Sequence, residues 1–156
     1  MQHVQTRSTT SALVLTAVLI ALATLFTMYT KIPVPGIRGY FNVGDVVIMT
    51  SALLLGRKYG AYIGAIGPAL ADLFLGYAVF VPITFVVKGI EGYLVGTVYN
   101  NKTTTSALVA TIVGGIIIVA GYFIAEYFVF DPGVAIASIL TNTIQAVMSV
   151  IVSMIL

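Results

Sequence analysis

The chain has 156 residues, of which 60% are hydrophobic and 8% charged, and its net charge is +2. A soluble domain carries about 25% charged residues, so lipid is the solvent that suits this composition. The small charge without a basic run argues against a nucleic-acid partner. The lack of Cys excludes disulfides and thiol chemistry, and a lone His3 leaves no His-based metal or acid–base site.

A single domain, 1–156, is expected from the length. A bilayer core of roughly 30 Å calls for about 20 apolar residues per helix. Residues 11–30 make a first span without charge. Ala21-Leu22-Ala23 has the look of a signal-peptidase site, but the apolar run continues to Met28, as a retained helix would. Loop 1 follows from Lys31 to Phe41, stiffened by Pro33 and Pro35 and turned by Gly36 and Gly39. Asn42-Val43-Gly44-Asp45 reads as a helix start, with Asn42 capping and Asp45 favoured by the helix dipole. Breaks at Gly56–Gly60 and Gly76–Pro82 divide the middle into 43–56, 60–77 and 82–99, each a little short for a full crossing. Spans at 105–125 and 133–156 complete an all-α, polytopic bundle of six transmembrane helices, with five as the alternative count.

The distribution of Lys and Arg orients the bundle. With the N-terminus inside, Arg7, Arg57, Lys58 and Lys102 fall on the cytoplasmic side, against Lys31 and Arg38 outside. Both termini are then cytoplasmic in the plasma membrane. Glu126 and Asp131 lie near the outer surface.

Membrane helices associate through close backbone approach, because burial in lipid offers no drive. Gly56, Gly60 and Gly64, and Gly92 and Gly96, supply small seams at four-residue spacing. Ala17 and Ala21, with Thr24 continuing the face, supply one on the first helix. These seams serve internal packing, or the one on the first helix presents a docking face to another protein.

Ionisable groups within a membrane are costly and face a cavity or a partner. At about 1.5 Å per residue, Lys88 lies roughly 9 Å below Pro82 and Glu91 roughly 13 Å below it. Three residues apart, they share a helix face. Asp72 falls at the depth of Lys88, and the two are expected to neutralise each other. Asn142 reaches the level of Glu91, with Gln145 one turn deeper on the same face. Glu91 has no second cation at its depth, which makes it the foremost candidate for a ligand contact. Tyr40, Phe41 and Tyr77 are candidate ring contacts near the outer rim. Tyr127, Phe128 and Phe130 fit interfacial anchors.

These stretches together resemble a family. Phe41-Asn42-Val43-Gly44-Asp45, Ala52–Gly56, the Gly60/Gly64/Gly67 series, Ala71-Asp72-Leu73 with Gly76-Tyr77, and Pro82 with Lys88-Gly89 and Glu91-Gly92 are similar to the substrate-binding S components of energy-coupling factor (ECF) transporters. Within that family the riboflavin-transporter-like branch, several members of which are assigned to pyridoxine or hydroxymethylpyrimidine, is nearest. Ala17 and Ala21 are similar to the alanine motif by which such subunits dock on a transmembrane coupling subunit. Asn142 and Gln145 in the last helix fit as well.

The resemblance implies a six-helix, non-enzymatic subunit that captures a vitamin or precursor at the outer face. Uptake would then require the coupling subunit and two ATPases, the S component toppling to carry its pocket inward. No cofactor is implied. Pyridoxine or hydroxymethylpyrimidine is the first expectation for the ligand and riboflavin the second. The chain has no Trp, so Tyr or Phe must stack any ring. The alternative is a stand-alone, proton-coupled secondary transporter using Glu91 or Asp72, although no inverted repeat supports it. An intramembrane enzyme is disfavoured, since no Ser/His dyad, metal cluster or catalytic carboxylate pair is evident.

Overall fold

A computed structural model describes residues 9–33, 40–99 and 103–156. Among them are six helices: α1 (Thr9–Tyr29), α2 (Gly44–Leu55), α3 (Arg57–Phe74), α4 (Phe80–Val98), α5 (Thr104–Val129) and α6 (Pro132–Ile155). Between α1 and α2 a short antiparallel ribbon pairs β1 (Ile32–Pro33) with β2 (Tyr40–Phe41), Ile32 opposite Phe41. The ribbon adds one feature to the expected all-α bundle and marks its hairpin end. Arg7, Arg38 and Lys102, which the charge argument used, lie outside the described residues.

Local chemistry sets the helix limits. Gly56, at φ 87°, breaks α2 from α3, and Gly76, at φ 82°, turns the chain between α3 and α4. Both angles lie in the left-handed region that favours glycine. Thr103 caps α5 by accepting from the Ser106 N–H at 3.2 Å. Asp131 caps α6 by accepting from the Val134 N–H at 3.0 Å, with Pro132 in the first turn, where its missing N–H costs nothing.

The bundle turns large apolar side chains outward and buries a charged cluster amid an apolar core. Leu13, Val18, Phe85, Ile116, Leu140 and Ile155 are among many large apolar side chains left exposed, whereas Asp45, Lys88 and Glu91 are buried. Four helices, α1, α4, α5 and α6, are long and apolar enough to cross a membrane. With 12 residues, α2 extends only about 18 Å and cannot cross alone.

The glycine seams meet each other inside the bundle. A Cβ on Gly92 would overlap the Gly60 carbonyl, and one on Gly64 would overlap the Lys88 carbonyl. This contact lets α3 and α4 form the most extensive helix pair and brings the Lys88 backbone against α3. On α1 the internal contacts run through Ala23, packed on Gly67, and Thr24, whose hydroxyl donates to the Gly67 carbonyl at 2.9 Å. Thr24 thus lies where the Ala17/Ala21 face meets α3, while those two alanines are exposed.

Candidate functional site

The polar interior begins where α2, α4 and α6 meet. Lys88 Nζ donates to Asp45 Oδ1 at 2.5 Å and lies 3.4 Å from Glu91 Oε2. Gln145 Nε2 donates to Asp45 Oδ2 at 2.7 Å, and Gln145 Oε1 accepts from the Asn42 N–H at 3.0 Å. One amide thus ties the start of α2 and the strand before it to the buried ion pair. Its orientation follows, because only the oxygen can accept and only the nitrogen can donate.

Here the structure corrects the expected pairing. Lys88 engages Asp45 and Glu91, where the sequence pointed to Asp72. Asp45 does occupy the first turn of α2, but its carboxylate serves Lys88 and Gln145. The residue flanking α2 is Val43, without a side-chain cap, while Asn42 Oδ1 accepts from the Gly44 N–H at 2.8 Å. Asn42 therefore holds the turn from one position further out than expected.

Towards the hairpin end a cavity opens above this network. It encloses about 40 Å³ of space open to the centre of a water molecule. Lys88, Asp72, Asn142 and Gln145, four of the candidates, line it. With them stand Thr27, Asn42, Thr84, Tyr122, Glu126, Ser138 and Thr141, and the apolar Pro68 and Phe80. Thr84 Oγ1 and Tyr122 Oη share a hydrogen bond of 2.9 Å between α4 and α5, and the Lys88 ammonium lies 5.5 Å from the Tyr122 ring centroid. Two buried polar atoms on the wall, Thr27 Oγ1 and Asn142 Nδ2, have no hydrogen-bond partner among the described residues. Buried polar atoms are normally paired, so such orphans beside a cavity mark positions for a polar guest.

Two candidates stand elsewhere, and two more cannot be placed against the cavity. Glu91 is fully buried behind Lys88 and is not among the cavity-lining residues. Tyr77 also stands outside the wall: it packs edge-on against Phe80, with centroids 6.3 Å apart, and the Lys31 ammonium lies 4.7 Å from its ring centroid. Tyr40 and Phe41 sit on β2, and their side chains lie outside what is described.

Sequence reasoning missed Asp45, Tyr122, Glu126 and Ser138 as site residues. Glu126 was placed near the surface because the apolar run was ended at residue 125. In the fold α5 continues to Val129, so Glu126 is buried and accepts a hydrogen bond from the Ser138 hydroxyl. The four-residue spacing of Tyr122 and Glu126 was the available signal, since it puts both on one face.

A second groove, of about 600 Å³, runs between α5 and α6 and is lined by Ile116, Phe123, Ile139 and Val147 among others. Its wall is almost wholly apolar and cannot hold a polar ligand.

Comparison with known proteins bears on the polar cavity. The family described as ECF-type riboflavin transporter, S component, matches residues 7–156. An uncharacterized protein of the gap 3′ region from Pyrococcus woesei is 40% identical over 132 residues, covering 83% of this chain and 87% of its own length. The thiamine precursor transporter HmpT of Lactococcus lactis subsp. cremoris (strain MG1363) is 30% identical over 143 residues, covering 90% and 80% respectively. A solved S component of a bacterial ECF transporter superposes with a TM-score of 0.76 at 20% identity, over 94% of this chain and 92% of that one.

Proposed function

This chain belongs to the S-component family of ECF-type transporters, and from that premise we propose that it captures a single-ring nitrogen heterocycle, hydroxymethylpyrimidine or pyridoxine before riboflavin. The S component is a multi-pass membrane protein of vitamin uptake and not an enzyme. The choice of ligand rests on the cavity. By the same measure that gives 40 Å³, a buried water needs about 10–15 Å³. The space therefore suits one substituted ring better than a tricycle carrying a sugar-alcohol chain. Phe80 and Tyr122 offer ring faces without Trp, and Lys88, Asn142 and Thr27 offer donors and acceptors. The likeness to a thiamine precursor transporter supports the pyrimidine in particular.

The observation that carries this reading is the pair of orphaned polar atoms, Thr27 Oγ1 and Asn142 Nδ2, on the wall of a small cavity beside Lys88. In the proposed cycle the hairpin end faces outward and both termini face the cytoplasm. Uptake is driven by a coupling subunit and two ATPases, with Ala17 and Ala21 forming part of the docking face. Family membership favours this over the stand-alone, proton-coupled transporter.

Titration calorimetry of the purified protein with hydroxymethylpyrimidine, pyridoxine and riboflavin tests the proposal. Tighter binding of either single-ring compound is the expected result. Binding of riboflavin alone would overturn it.

A further inference from the structure

Glu126 is 3% exposed and lines the cavity from α5. Its hydrogen-bond partner among the described residues is the Ser138 hydroxyl, which also lies 3.0 Å from the Ala135 carbonyl. A serine has a single proton, so it donates to only one of these acceptors at a time. A carboxylate has about four acceptor sites, and no Lys or Arg among the described residues comes within ion-pair distance of Glu126. A buried carboxylate so sparsely served is costly unless a guest supplies donors.

Its placement is as informative as its chemistry. Tyr122 stands one turn deeper on α5, bonded to Thr84, and Lys88 stands one turn beyond Thr84 on α4. Lys88, an obligate donor, and Glu126, an acceptor, therefore occupy successive levels of one wall with the Tyr122 ring between them. The orphaned Thr27 hydroxyl, on a side chain 1% exposed, independently marks the same cavity as built for a polar guest.

We propose that Glu126 is the specificity-determining residue of the cavity, accepting a hydrogen bond from an exocyclic amine on the ligand ring while Lys88 answers an acceptor at the other end. This rests on the reading of the ligand as a single-ring nitrogen heterocycle and narrows it to an amino-substituted ring. An oxo group at the amine's position presents an acceptor to the carboxylate and is rejected.

The test compares 4-amino-5-hydroxymethyl-2-methylpyrimidine with its 4-oxo counterpart by calorimetry. Wild-type protein is expected to bind the amino compound at least about tenfold more tightly, the scale of one charge-assisted hydrogen bond. Glu126→Gln should erase that ratio, and Glu126→Asp, which retains the charge, should preserve it while weakening both compounds. A merely structural role would weaken both compounds equally in Glu126→Gln and leave the ratio intact, which would overturn the assignment. Equal wild-type affinity for the two compounds overturns it without recourse to any variant. Failure of wild-type protein to bind either compound or pyridoxine would overturn the ligand reading itself, and this assignment with it.

Discussion

Lys88 on α4 and Asp45 on α2 form a buried ion pair of 2.5 Å, and Gln145 on α6 bonds the far oxygen of the same carboxylate. Three helices distant in sequence are thereby joined at one point directly beneath the cavity.

Lys88→Met should destabilise the protein by about 3–5 kcal/mol, because it leaves Asp45 and Glu91 buried without a cation. Adding Asp45→Asn removes one stranded charge and keeps an acceptor for Gln145, so part of the loss should return. Thermal unfolding in detergent compares the three proteins. A double variant no more stable than Lys88→Met would refute the pairing as a source of stability.

Gln145→Leu should cost about 1–3 kcal/mol for each group it leaves unpaired, the Asn42 N–H and one oxygen of Asp45. The Asn42 amide should then exchange with deuterium about tenfold faster or more. Unchanged exchange would mean that Gln145 does not hold the junction of β2 and α2.

Gly92→Ala should disrupt the α3–α4 contact, since its Cβ would overlap backbone that cannot rotate away. The cost should exceed the 1–3 kcal/mol or so usual for overpacking. Gly76→Ala meets no atom within 4 Å and suffers only its positive φ, which is worth about 1 kcal/mol. Monodispersity and melting of the two variants should separate clearly. Equal behaviour would contradict the seam.

Replacing Ala17 and Ala21 with Leu should abolish uptake while leaving ligand affinity unchanged. Both are exposed on α1 and are not among the cavity-lining residues, and bulk there forbids close backbone approach by another helix. Paired uptake and calorimetry decide the point. A parallel fall in binding would show that the alanines support the fold.

Orientation can be read by labelling. Ala78, between α3 and α4, and Lys58, at the start of α3, are both exposed and lie at opposite ends of α3. A Cys at position 78 should react with an impermeant reagent added outside intact cells, and one at 58 should not. The reverse pattern would place both termini outside.

Much of the architecture was legible from residue order. Glycine breaks at 56–60 and 76–82 divided the middle of the chain where α2, α3 and α4 are in fact divided. The site was legible only in part. Lys88, Asp72, Asn142 and Gln145 were found as intramembrane polar residues, and all four line the cavity. Glu91 was found by the same reasoning yet stands behind Lys88. The error over Asp72 and Asp45 has a plain source. Depth counted along a helix is one coordinate, and partners also depend on how each helix is rotated about its axis.

By itself the sequence determined the solvent and the approximate limits of the helices, because these follow from composition, glycine breaks and a fixed rise per residue. Tertiary structure alone decided which polar groups touch. The 12-residue α2 is too short to reach both membrane faces, so Asp45 at its start is met by Lys88 two turns inside α4. Glycines at 60, 64 and 92 bring α3 and α4 to backbone contact and set the Lys88 backbone against α3. Nothing in the local sequence around either charge encodes that meeting, because it is set by the packing of helices far apart along the chain.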